Sequence, residues 1–411
     1  MGKKTFLFVL ITILLFVSSI ASAQRTNISL SPEAKITLLT CSPGDELYSV
    51  FGHSAIRAKD SLMDLDIVFN YGTFDFSDPN FYTNFVRGKL NYVLSVAEFR
   101  HFEYDYLMEG RWIWEQELNI NPQERQFLFD SLIINYLPEN RYYLYDFFFD
   151  NCATRIRDIF VEAIDSEIIF DYQVLDQGQS FRELLMPYLT EKPWARLGIN
   201  LALGMPADKT ASPWDYMFLP DHMMTVFEHA QLKSDNNISG FTPGSRVILE
   251  GAELQGARFP YAPLLIFLIV LLVTIIISYR DLQSARLSFW YDRLLFGSVG
   301  LLGLLITFLW FGTDHQVTVR NLNIIWAHPL HLLICLFLSG KKHRALLLYY
   351  FGANLGLLIL LLLSWPVLPQ ALPWTVIPVI IALIVRSALI VRILSHDTGI
   401  IGAYRRESTS S

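Results

Sequence analysis

Hydrophobic and polar positions divide the chain into two regimes. Up to about residue 250, short apolar runs alternate with polar residues. From there on, apolar runs occur at about 263–279, 294–311, 323–339, 345–365 and 373–394, each near the ~20 residues that a bilayer crossing needs. This second regime predicts an all-α transmembrane bundle of about five helices over 263–394.

In the first regime, strands are predicted at 36–41, 54–58 and 66–71, the last closed by Gly72. Residues 80–86 read as a short helix, 92–97 as either helix or strand, and 112–118 as a strand. Asn121-Pro122 is a helix start, with an Asn cap and Pro in the first turn. That helix runs to about Tyr136 and stops before Pro138. Residues 141–149 are strand-like and lead to Cys152, which opens a helix with Ile156, Ile159 and Phe160 at helical spacing. The region 180–232 is helical and aromatic, interrupted at Pro187, Pro193, Pro206, Pro213 and Pro220. Residues 233–262 look linker-like, with a strand at 246–250. The resulting division is an α+β domain over 24–245, a linker over 246–262, the helical bundle, and a tail over 395–411.

The two ends decide the orientation. Lys3 and Lys4 precede an apolar run from Phe6 to Val17, then small residues at Ala21 and Ala23. This is a signal peptide over 1–23 with cleavage after Ala23; an uncleaved anchor gives the same topology. With the first domain exported, the loops 280–293 and 340–344 and the tail must face the cytoplasm. They carry Arg280, Arg286, Arg293, Lys341, Lys342, Arg344, Arg405 and Arg406, whereas the outer loops 312–322 and 366–372 carry only Arg320. Positive residues therefore lie inside, as five crossings require.

Composition adds three constraints. Hydrophobic residues make up 52% of the chain and the mean hydropathy is +0.34, which fits a part-membrane protein. From Tyr261 onward there are eleven Lys/Arg against five Asp/Glu, leaving 21 against 34 in the remainder of a chain of net charge −7. An acidic exported part excludes a nucleic-acid partner. The three cysteines, Cys41, Cys152 and Cys335, do not form a disulfide scaffold; a Cys41–Cys152 bridge stays open at this stage.

The candidate chemistry centres on Cys152. A cysteine at a helix N-terminus feels the positive end of the helix dipole, which favours thiolate, and unpaired backbone N–H groups there offer an oxyanion site. Taken alone, such a cysteine is more often a small buried hydrophobe. His53, following Gly52 at a strand start, supplies a base, and Asn70 on the next strand a partner that holds the imidazole tautomer. Asp66 is a weaker orienter because it lies further along that strand. Asn151 either polarises an oxyanion or caps the helix. A second polar cluster runs from His315 through Asn321, Asn323 and Trp326 to His328 and His331, at the outer loop and the start of the third apolar run. It reads either as a grip on a substrate headgroup or as interfacial anchoring. The spacing gives no metal-ligand set, and the chemistry calls for no cofactor.

Four stretches carry a resemblance: Phe51-Gly-His-Ser-Ala-Ile-Arg57, Val68-Phe-Asn-Tyr-Gly-Thr-Phe-Asp-Phe76, Pro138-Glu-Asn-Arg-Tyr-Tyr-Leu-Tyr-Asp-Phe147 and Asp150-Asn-Cys-Ala-Thr-Arg-Ile-Arg-Asp158. The order of histidine, polar residue and Asn-Cys helix start resembles the circularly permuted papain-like group, which includes NlpC/P60 and lecithin:retinol acyltransferase-like proteins. More closely, the four stretches resemble the Lnb family of Bacteroidota lipoprotein N-acyltransferases, over nearly the whole chain after the signal peptide. The resemblance implies a papain-like α+β periplasmic domain joined to an inner-membrane bundle. It implies a phospholipid acyl donor and a lipoprotein acceptor, with Cys152 as nucleophile and His53 as base. Asn70 is assigned by analogy to the broader group. Two other readings compete: a cysteine peptidase or amidase acting on cell-wall peptide, for which a membrane bundle is superfluous, and a non-enzymatic membrane scaffold or transporter. No Gly/Pro-interrupted pair of spans supports a transporter.

Overall fold

The computed structural model describes residues 28–74, 79–234, 237–252, 259–339 and 341–397. The expected signal peptide over 1–23 and residues 398–411 of the expected tail lie outside these. The strands are β1 (Lys35–Cys41), β2 (His53–Asp60), β3 (Leu65–Phe74), β4 (Asn91–Glu98), β5 (Ile113–Glu117), β6 (Tyr142–Leu144), β7 (Glu167–Ile169), β8 (Gln231–Ser234), β9 (Asn237–Gly240) and β10 (Arg246–Leu249). Seven form one sheet in the order β10-β5-β1-β2-β3-β4-β6, and β7-β8-β9 form a second. The strand pairs are antiparallel.

The period of two in the large sheet sorts its side chains into two layers. Leu38, Ile56 and Phe69 face a core shared with helices Pro122–Tyr136 and Cys152–Ala163. Their neighbours Leu39, Ala55 and Val68 face the helix Phe99–Met108 through Phe99, Phe102 and Tyr106. The helix Pro122–Tyr136 begins where Asn121 and Glu124 satisfy each other's backbone N–H groups.

Three segments differ from the sequence expectation. Residues 92–97, ambiguous by pattern, are strand because both neighbours β3 and β6 offer a ladder. In 141–149 only Tyr142–Leu144 forms a ladder, with β4, and Asp146 makes a single bridge to Asp150. Asp146 then accepts the backbone N–H groups of Phe148 and Phe149 at 2.9 and 3.0 Å, turning the chain before Cys152. Residues 246–249 are indeed a strand, but they belong to the sheet, not to a free linker. The buried Glu115 draws Arg246 in at 3.0 Å and also holds Arg57 at 3.0 Å.

In the membrane region, four helices among the described residues are long and apolar enough to cross a bilayer: Ala262–Ser284, Phe289–Phe311, Arg344–Val367 and Trp374–Ser395. The third apolar run is broken. It has a 3₁₀ turn at Leu322–Ile325, a bend, and an eight-residue helix Leu330–Phe337, about 12 Å long at 1.5 Å per residue. Asn323, His328 and Pro329 interrupt what apolar content alone suggested as continuous helix. The segment runs antiparallel to Phe289–Phe311. A Cβ on Gly303 would meet the Ala327 carbonyl at 2.1 Å, one on Gly300 the Leu332 nitrogen at 2.8 Å, and one on Gly297 the Cys335 sulfur at 4.0 Å. At the inner end Arg293 reaches the Cys335 carbonyl at 3.3 Å and bonds Ser339. Among the described residues the bundle thus holds four helices of spanning length and one broken helix. Arg386 is buried between Asp281 and Asp292 at 3.0 and 2.8 Å, a paired charge as a membrane interior demands.

The two domains are tightly joined. Asn321 donates to the carbonyls of Leu201 and Ala202 at 2.7 and 3.1 Å, and Gln370 to that of Leu203 at 3.0 Å. The Gly204 N–H bonds the Val317 carbonyl at 2.8 Å. Leu197, on the helix Pro193–Ala202, is part of the membrane-side core.

Candidate active site

Cys152 is the first residue of its helix and Asn151 its cap. The helix packs against β2 and β3, which carry the other two polar residues. His53 opens β2 directly after Gly52, whose φ of +77° and 2.9 Å clearance between a would-be Cβ and the Cys41 carbonyl admit glycine alone without strain. Asn70 lies on β3 beside a register shift between Asn70 and Thr73. Within that bulge Gly72, at φ +87°, brings its backbone so close that a Cβ there would sit 3.6 Å from Cys152 Cβ.

The His53 Nε2–H donates to Asn70 Oδ1 at 2.6 Å, which leaves Nδ1 for the hydrogen bond to the Cys152 sulfur. Burial by itself raises the Cys152 thiol. The imidazolium charge of His53, its hydrogen bond, and the backbone N–H groups of Ser54 and Ala153 outweigh that and hold the thiol below its ordinary value. For His53 burial lowers the pKa, but the thiolate charge and the hydrogen bonds to Cys152 and Asn70 raise it above the ordinary value. Both shifts favour a thiolate–imidazolium pair.

The sequence-derived residues do not all gather here. Asn151 is spent on structure. Its Oδ1 accepts the Thr154 N–H at 2.9 Å, and its amide N–H groups go to the carbonyls of Phe147 and Phe218 at 2.9 and 2.8 Å. Its side chain has nothing left for an oxyanion, so the substrate role expected of it gives way to capping. Asp66 pairs with Arg57 at 2.6 Å instead of with His53. Cys41 is free, as are Cys152 and Cys335; burial pushes the Cys41 thiol up to about 12, which disfavours its thiolate.

A cavity of about 760 Å³ opens over Cys152, His53 and Asn70. Part of its wall comes from the membrane domain, in residues Asp314 to Val317 of the outer loop. His315 lies against Gly88, where a Cβ would come within 3.0 Å of its ring. The Asp314 N–H bonds the Arg87 carbonyl at 2.9 Å, and Lys89 pairs with Asp314 at 3.4 Å. His315 therefore does reach the cavity. Asn321, Asn323 and Trp326 do not. They are buried in the domain junction, where Trp326 Nε1–H donates to Asn323 Oδ1 at 3.0 Å and Asn323 is tied to Asn321. A headgroup contact by these three is replaced by a structural one. His331 bonds Tyr350 at 2.6 Å, and His328 faces Asn354 at 3.4 Å, within the bundle. Sequence reasoning did not single out Tyr92 and Tyr145, stacked at 4.1 Å on the cavity wall. Their only signal was an aromatic-rich composition, which core residues share.

A family model described as the Lnb N-terminal periplasmic domain matches residues 23–184, and one described as the Lnb transmembrane domain matches residues 255–397. The chain belongs to the Lnb family. Comparison with curated proteins and with solved structures gave no match. The Lnb assignment makes the chain a membrane protein with its N-terminal domain in the periplasm, and its helical region is the membrane domain. The cavity therefore lies where the loop Asp314–Val317 of the membrane domain meets the Lnb periplasmic domain.

Proposed function

We propose that this Lnb-family protein is a lipoprotein N-acyltransferase that moves an acyl chain from a phospholipid, through a thioester on Cys152, to the N-terminal cysteine amine of a lipoprotein. The observation that carries the reading is the cavity itself: a Cys–His–Asn set lies in a cavity part of whose wall is supplied by the membrane domain. A wall hydrolase has no use for such a wall, whereas two lipid substrates in one bilayer are brought to the same site. Family membership supports the same reading.

In the first half-reaction the Cys152 thiolate attacks the ester carbonyl of the donor. The tetrahedral oxyanion meets the backbone N–H groups at the start of the helix, which have no intrahelical acceptor. The C–O bond breaks, and the His53 imidazolium gives its proton to the departing lysophospholipid hydroxyl. In the second, the lipoprotein amine attacks the thioester, His53 takes a proton from the nitrogen, the C–S bond breaks and the amide is released. Asn70 keeps the imidazole in the tautomer that presents Nδ1 to sulfur.

The test uses the full chain in phospholipid nanodiscs with a diacyl lipopeptide acceptor. Mass spectrometry should find an N-acylated product and, without acceptor, an acyl group on Cys152 that hydroxylamine releases. Cys152→Ala should abolish both. Undiminished transfer by Cys152→Ala sinks the thioester mechanism. Cleavage of cell-wall peptide without any transfer points to the amidase alternative, and neither activity to a scaffold.

A further inference from the structure

One wall of the cavity is a continuous track of aromatic rings that begins at the protein surface. Tyr48 meets Phe74 at 6.3 Å, Phe74 meets Tyr92 at 4.9 Å, and Tyr92 stacks on Tyr145 at 4.1 Å. Tyr145 Cε2 and Cys152 Cβ both lie within 4 Å of the same point, the would-be Cβ of Gly72. A second branch joins from the helix Phe81–Arg87, where Phe85 stacks on Phe81 at 6.4 Å and Phe81 meets Phe74 at 5.9 Å. The outer ends of both branches are exposed: Tyr48 by 68%, Leu47 by 52%, Phe85 and Val86 by 49% each.

The position of this lip relative to the membrane domain follows from the fold. The helix Phe289–Phe311 ends at the outer face in the stacked pair Trp310 and Phe311, aromatic residues of the kind that mark a membrane interface. Asp314, three residues on, bonds the carbonyl of Arg87. Three residues span at most about 10 Å, so the C-terminal end of the helix Phe81–Arg87 lies near the outer end of the helix Phe289–Phe311, whose Phe311 is itself 72% exposed. Exposed apolar residues at this level need no soluble partner, because the bilayer supplies their apolar surroundings.

We propose that the acyl donor enters sideways from the periplasmic leaflet, through a port between the lip Leu47–Tyr48 and the helix Phe81–Arg87, and that the track of Phe74, Tyr92 and Tyr145 holds the reacting phospholipid chain up to Cys152. This rests on the acyltransferase reading and adds to it the route, the donor's leaflet and the residues that select an apolar chain. Phe85 is a specificity residue of the port, not a catalytic one.

Two measurements test it. In the first, the paired substitution Phe85→Asp and Val86→Asp is compared with wild type on two donors, phospholipid vesicles and a water-soluble short-chain thioester. The ratio of vesicle rate to soluble rate should fall at least ten-fold, and Phe85→Leu with Val86→Leu should restore it to within three-fold of wild type. An unchanged ratio overturns the port. In the second, full-length Cys152→Ser protein is placed in vesicles whose phospholipid carries a diazirine at mid-chain, irradiated, and mapped by mass spectrometry. Adducts are expected on the peptides holding Leu47–Tyr48 and Phe81–Arg87. Adducts confined to the membrane helices overturn the port, as does labelling of the lip by a diazirine-bearing diacyl lipopeptide but not by phospholipid. Crosslinking needs no turnover, so the two readings fail separately. A labelled lip on a protein whose wild type transfers from neither donor sinks the acyltransferase and keeps the port; transfer without lip labelling does the reverse.

Discussion

Cys152 and His53 shift each other's titration against the direction that burial imposes. Burial works against both charges, yet the pair shifts the thiol down and the imidazole up. The rate of Cys152 alkylation by iodoacetamide should therefore rise through an inflection below the ordinary thiol value of about 8.5. In His53→Ala the inflection should move above it, since burial then acts without an opposing charge; an unmoved inflection would show that the two groups are not paired. His53→Ala should cost about 10²–10⁴-fold in transfer, and adding it to Cys152→Ala should cost almost nothing more, because the two act as a unit. Cys41, on β1 and paired in register with His53 on β2, should resist alkylation in the native protein. Asn151 belongs to a different class of residue. Asn151→Ala removes a cap and leaves the carbonyls of Phe147 and Phe218 without their donors. A loss of about 1–3 kcal/mol in stability, read as a lower unfolding temperature in detergent, is the expected outcome.

At the scale of elements, close backbone approaches hold the architecture together, and the glycines that permit them are not interchangeable. Gly204 ends up against the outer loop, where a Cβ would stand 1.9 Å from the Val319 carbonyl oxygen. Gly198, half a dozen residues earlier in the helix Pro193–Ala202, has nothing within 4 Å of its would-be Cβ. Gly204→Ala should lower both thermal stability and acyl transfer. Gly198→Ala should be neutral or stabilising by roughly 0.5–1 kcal/mol, because alanine loses less entropy in a helix. If the two variants melt alike, the junction does not depend on that contact. The stripe of Gly297, Gly300 and Gly303 plays the same part within the membrane, letting the broken third pass lie against its neighbour.

For the whole molecule, the cavity is a joint product of two domains, and residues at the joint separate by what they touch. His315 faces the cavity; Asn323 is buried in the domain junction. His315→Ala should reduce transfer with protein abundance unchanged, whereas Asn323→Ala should reduce abundance and melting temperature first. Immunoblots alongside transfer assays read both, and an Asn323→Ala protein of full stability but no activity would return that residue to the substrate. The five-pass topology is open to a direct check: reporter fusions after Lys342 and after Gln370 should give opposite locations, cytoplasmic and periplasmic. Identical readings would mean that the broken segment Leu322–Phe337 does not cross.

The sequence by itself determined those features that depend on local chemistry or on composition. Asn121-Pro122 places a helix start because a cap and a preset φ act within one turn. The apolar runs and the inside arginines and lysines place the bundle because hydrocarbon tolerates little else. Cys152, His53 and Asn70 were legible because the helix start, the glycine before His53 and the strand pattern are all local signals. Tertiary structure decided the rest. Asn151, Asn321 and Asn323 have the same side chain as Asn70, and only the acceptors that the fold delivers make three of them structural and bring one to an imidazole. Residues 246–249 joined the sheet because Glu115, far away in sequence, needed a second cation. The third apolar run broke because buried asparagines found partners in another domain. The cavity wall at His315, and the aromatic track from Tyr48 to Tyr145, join residues from separate elements, and no local pattern announces which aromatic rings will meet once the chain has closed on itself.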